Sequence, residues 1–99
     1  MDESRGSASN PAGLVVVNRQ RQTGILVKQG SKYVHVVRLT RAGITLDRIE
    51  EDAFVAEWAK LEGYDVLRAI EQYRAHGEAR GVTQAARTAL DELSEELSQ

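Results

Sequence analysis

The side chains that could do chemistry are few, and they are scattered. His35 and His76 are the only histidines, and the chain has no cysteine. A transition-metal site would therefore need carboxylates to complete it, and thiolate sites and disulfides are excluded. No G-x-S-x-G, H-E-x-x-H, G-x-x-x-x-G-K-[ST] or G-x-G-x-x-G occurs. The nucleophile elbow, the zinc-protease helix and the phosphate-cradling glycine loops are thus all missing. Carboxylates are plentiful in the second half, at spacings typical of solvated helix faces. The residues point to a protein that is not an enzyme, with no catalytic residue, no metal and no cofactor. His76 is expected near a helix C-terminus, where a cation offsets the dipole.

Basic side chains make a sharper pattern. From Leu14 to Arg48 the chain carries Arg19, Arg21, Lys28, Lys32, Arg38, Arg41 and Arg48 against Asp47 alone, a balance of +6. From Glu50 to Gln99 five basic residues face twelve acidic ones, a balance of −7. Such asymmetry suits either an acidic partner or mutual neutralisation within one fold. A nucleic-acid interface would use Arg19, Arg21, Lys28, Lys32, Arg38 and Arg41, with salt-dependent affinity. Tyr33 is the only aromatic in that region, which supplies base stacking poorly. The sequence pI of about 5.7 also falls short of a basic footprint. In a purely structural role these side chains solubilise turns and deter edge pairing.

Two kinds of element must position these groups. Residues 1–13 are polar and Gly/Ser-rich and predict a mobile tail. One domain follows, residues 14–99, with a basic β-meander over 14–47 and an acidic helical part over 48–99. Leu14–Val17, Thr23–Lys28, Tyr33–Leu39 and Ile44–Asp47 read as four short strands, separated by polar or glycine-bearing turns. The period then changes from two to 3.6. Asp47 and Glu50 have capping-box spacing. Phe54, Trp58 and Leu61 form one apolar stripe that ends at Gly63. Asp65 can cap a second helix, with Val66, Ala69, Ile70 and Tyr73 inward and a break expected near Gly77–Gly81. Thr83 can cap a third. Strands segregated from helices predict an α+β fold, a four-stranded antiparallel meander followed by two or three amphipathic helices. The meander is expected either as a small SH3-like barrel or as a flat sheet.

Gly81-Val82-Thr83-Gln84-Ala85-Ala86 resembles the opening of a helix-turn-helix first helix. The motif then needs a turn and a recognition helix. Asp91-Glu92-Leu93-Ser94-Glu95-Glu96 stands there instead, so the resemblance carries no residue role over. The third helix carries Ala86, Leu90, Leu93 and Leu97 at coiled-coil spacing for under two heptads. That stripe either packs within the chain or forms a protein interface. Trp58 and Tyr64 are further candidate anchors, with Trp58 expected in the core. Arginine outnumbers lysine ten to three, and alanine is the commonest residue, as in GC-rich phage or actinobacterial coding sequences. No apolar run approaches membrane-spanning length and no signal segment is visible, so the expected location is the cytoplasm without membrane contact. The functional expectation is a small non-enzymatic interaction module, phage-encoded, that self-associates or binds a host protein. Nucleic-acid binding through the basic loops is the alternative.

Overall fold

The computed structural model describes residues 13–98. Each β-branched run of the first half forms a strand and pairs antiparallel with the next: β1 (Leu14–Asn18), β2 (Thr23–Gln29), β3 (Tyr33–Thr40) and β4 (Gly43–Glu50). The helices are α1 (Glu51–Glu57), α2 (Val66–Arg80) and α3 (Gln84–Leu97). Between α1 and α2 a fifth strand, β5 (Trp58–Lys60), pairs with the free side of β1. The result is an α+β fold whose sheet has the order β4-β3-β2-β1-β5. It has five strands rather than the expected four. It is also open, because β4 and β5 lie at opposite edges, so the barrel alternative is not formed.

Alternating side chains send alternate strand residues to opposite faces. Val15, Ile25, Val37 and Ile44 lie on the face covered by α2 and α3, and pack against Ala69, Ile70, Tyr73, Ala86, Leu90 and Leu93. Val16, Leu26, Val34 and Val36 lie on the other face, beneath Phe54 of α1 and Trp58. A bulge between Leu26 and Lys28 shifts the β2–β3 register, so that Lys28 as well as Val27 faces the α2/α3 side. The expected tail lies outside the described residues except for Gly13, whose N–H donates to the Leu26 carbonyl at 2.7 Å.

The first helix departs from its expected course. It ends at Glu57, and Trp58 is extended at φ −120°, ψ 147°. Pairing with β1 gives the Trp58–Lys60 backbone its hydrogen bonds, which outweighs two further helical turns toward Gly63. Phe54 and Trp58 still stack, with ring centroids 6.1 Å apart and planes 12° apart. The capping box is not formed either. Asp47 is inside β4, and Glu50 holds the N-cap position without a side-chain bond.

The other two caps form as the spacing predicts. Asp65 accepts from the Leu67 N–H at 3.0 Å, and Thr83 accepts from the Ala86 N–H at 3.2 Å. The expected break occurs only at Gly81, so Gly77 is helical and buried. A Cβ on Gly77 would press on Val82 and Ile44 at 3.1–3.2 Å, so the glycine lets α2 lie close against β4. At Gly43 the backbone has φ +136° and touches Gly81 directly. That approach lets the Ile44 N–H donate to the Gly81 carbonyl at 3.0 Å, and the Thr83 N–H to the Ile44 carbonyl at 3.4 Å.

Candidate interaction surface

Three residues of the α3 stripe are committed to the core. Ala86 and Leu90 are fully buried and Leu93 is 3% exposed, whereas Leu97 is 40% exposed. This corrects the expectation of an exposed docking stripe. The α2/α3 face of the sheet needs an apolar cover, and α3 supplies it. Of the two aromatic anchors, Trp58 is half-buried and Tyr64 is exposed.

The six basic residues do not form one patch. Arg19 and Arg21 lie on the β1–β2 loop, and Arg41 in the β3–β4 turn at the same end of the sheet. Asn18 braces that loop, because its side-chain oxygen accepts from the Gln20 and Gln22 N–H groups, both at 2.9 Å. Arg38 is near the same end but engaged. It donates to Asp47 at 2.8 Å and to Gln22 at 3.3 Å. Lys28 and Lys32 lie at the far end, roughly 20 Å away, the length of a seven-residue strand. There Lys32 sits beside Glu50, Glu51 and Asp52.

Neither histidine lies in a metal cluster. Among the described residues no three His, Asp or Glu side chains converge as a metal ion requires. His76 Nε2 donates to the Thr40 carbonyl at 2.6 Å, tying α2 to the β3–β4 turn. That bond, rather than relief of a helix dipole, is its visible role. Among the described residues no helix is long and apolar enough to cross a membrane.

What remains uncovered is a corner of the α2/α3 face. Helix α3 leaves the β4 edge at Thr83 and passes beside Gly13 at its far end, so α2 lies on one side of it and open sheet on the other. The gap is a cleft of about 700 Å³. Val27, Leu46, Ala89 and Leu93 contribute apolar lining. Lys28 and His35 line it from the sheet, Glu92 and Glu96 from the helix. Lys28, His35 and Arg48 are cross-strand neighbours in that order, and Lys28 and His35 face the carboxylates of Glu92 and Glu96 across the cleft. The Arg48 guanidinium lies 4.6 Å from the Tyr33 ring centroid.

Beside the cleft runs the β4 edge. The Ile44 N–H and carbonyl point away from β3, toward Gly81 and Thr83. Strand alternation therefore points the main-chain groups of Leu46, Arg48 and Glu50 outward as well. β4 is an edge strand, so among the described residues no strand pairs with these groups, but the Glu50 carbonyl, at the N-cap of α1, accepts that helix's first bond. Neither the cleft nor the edge was foreseen from residue types. The one available signal was the continued strand pattern of Arg48-Ile49-Glu50. No protein-family model matches the chain, and neither does any curated protein or solved structure.

Proposed function

We propose that this chain is a small protein-interaction module without catalytic activity of its own, which docks protein against the corner formed by β2, β3, β4 and α3. One observation carries the reading: a free strand edge borders an apolar-floored cleft with charged walls. An edge offers main-chain hydrogen bonds to an added strand, and a neighbouring pocket selects its side chains. The partner is a second copy or another protein, a host protein if the gene is phage-borne.

A displayed library of extended peptides, together with solution mass by light scattering, tests this. Thr88 is exposed and lines the cleft, so Thr88→Arg fills it without entering the core. Selected peptides are expected to bind the native protein and to lose about tenfold or more in affinity for Thr88→Arg, the loss of roughly one well-packed contact. A monomer at every concentration, with no peptide that Thr88→Arg excludes, overturns the reading.

A second reading, nucleic-acid binding, rests on Arg19, Arg21 and Arg41, which are exposed together at one end of the sheet. It predicts retention on short DNA or RNA that falls steeply with salt and disappears when all three become alanine. Retention indifferent to salt, or none at low salt, removes it.

A further inference from the structure

We infer that the β4 edge is a self-complementary contact, along which two copies of this chain pair antiparallel with Arg48 opposite the partner's Arg48. The inference rests on the interaction reading and narrows it to one occupant and one register.

The free main-chain groups of the edge fix where a second strand can pair. Ile44 is engaged with Gly81 and Thr83, so an incoming strand must start beyond it. Leu46 and Arg48 remain with both main-chain groups and Glu50 with its N–H, since its carbonyl serves α1; the three alternate and are centred on Arg48. A two-fold axis at Arg48 sets Leu46 opposite the partner's Glu50 and Glu50 opposite the partner's Leu46. The two Arg48 residues then exchange N–H-to-carbonyl bonds, and each Glu50 N–H meets the partner's Leu46 carbonyl. A two-fold at Asp47 fails on two counts. It opposes Asp47 to the partner's Asp47, and it aims the Glu50 backbone at the engaged Ile44. A two-fold at Leu46 aims the Arg48 backbone at Ile44. Shifting the other way leaves Leu46 unpaired.

Charge favours the same register. Arg48 and Glu50 share a face, so each Arg48 lies diagonal to the partner's Glu50, within reach of a long side chain. The opposed arginines are the element that commonly keeps edges apart. Here each is drawn back over its own Tyr33 ring, away from the axis. The contact is small, so association is expected to be weak and concentration-dependent.

The absence of cysteine makes the register directly readable. Leu46→Cys, Arg48→Cys and Glu50→Cys are treated with a short bis-maleimide, with exposed Ala75→Cys on α2 as control. Arg48→Cys is expected to cross-link to itself about tenfold or more faster than the control, because pairing raises the local thiol concentration. An equimolar mixture of Leu46→Cys and Glu50→Cys is expected to outpace either alone. Light scattering supplies the second measurement. Arg48→Pro removes an outward N–H and should stay monomeric with unchanged circular dichroism, whereas Arg48→Thr keeps the N–H and should dimerise. Cross-linking of Arg48→Cys no faster than the control overturns the register, as does undiminished dimerisation of Arg48→Pro. If cross-linking fails while Thr88→Arg still excludes selected peptides, the self-pairing is wrong and the interaction reading stands.

Discussion

The two faces of the sheet are built by different means. The face under α2 and α3 carries ten buried residues from four strands and both helices in one continuous cluster. The opposite face buries four strand residues, beneath a seven-residue helix and the Phe54–Trp58 stack. Past that stack it turns polar, with Arg38, Asp47 and Thr45 joined side by side. A sheet needs one well-covered face for stability. The second then becomes a surface whose chemistry can vary.

Truncating one large residue on each face gives the largest test of that contrast. Leu90 is fully buried among residues of both helices and the sheet. Leu90→Ala is expected to cost about 2–5 kcal/mol, since the cavity cannot collapse from several sides at once. Trp58 is half-buried, and Trp58→Ala on the α1 face is expected to cost about 1–3 kcal/mol, below the range for a fully buried aromatic. Urea unfolding of both variants checks the order. Equal losses would mean that the α1 face contributes as much as the other. Replacing Leu90 and Leu93 by glutamate cannot probe assembly here, because both charges would enter the core.

A subtler test lies on the better-covered face. Burial pushes the Tyr73 hydroxyl above its ordinary value of 10.0, and its bond to Thr23, 2.9 Å long, pulls the other way to a lesser extent. The folded state thus prefers neutral tyrosine more than the unfolded chain does. That preference is fully present below pH 10 and is lost as pH rises through the raised folded value. Tyr73→Phe is expected to cost about 1 kcal/mol at neutral pH, the worth of one hydrogen bond. It should also flatten the loss of stability above pH 10, measured by thermal unfolding across pH 8–11. An unchanged alkaline slope would sink the assignment.

How much of this was legible in the residues depends on what each feature rests on. The four longer strands show because β-branched runs are separated by polar turns. Asp65 and Thr83 show as caps because their chemistry is local. β5 is hidden because three residues are too few for a period, and Phe54-Trp58-Leu61 mimics a helical stripe. The second half of β4 is hidden for another reason. Ile44 and Leu46 point toward α2 and α3, whereas Ile49 points toward the α1 side. The helical cover changes face along one strand, so the alternation looks broken at Asp47 though the backbone stays extended. Gly77 reads as a breaker because its tight neighbours, Val82 and Ile44, are tertiary. The basic residues were visible but their division was not, since strand length separates one hairpin end from the other. The cleft arises from the course of α3 across the sheet, which no residue announces.

The smallest expected net change, that of a double variant, concerns the polar half of the α1 face. Arg38 and Asp47 are roughly two-thirds buried and bonded at 2.8 Å. Arg38 Nε is buried with no protein partner. Such a pair contributes little when compared with two apolar residues, yet losing one member strands the other. Asp47→Val leaves the Arg38 charge with only Gln22 and is expected to cost about 1–2 kcal/mol, less than for a fully buried pair. Arg38→Leu leaves Asp47 a bond from the Thr45 hydroxyl at 3.3 Å and should cost less. The double variant Arg38→Leu, Asp47→Val is expected within about 1 kcal/mol of the native chain, because the orphaned Nε disappears with the charges. A double-mutant cycle by urea unfolding measures all three. If the double variant loses as much as the two single variants together, Arg38 and Asp47 stabilise the fold independently of each other, and the idea that losing one strands the other is wrong.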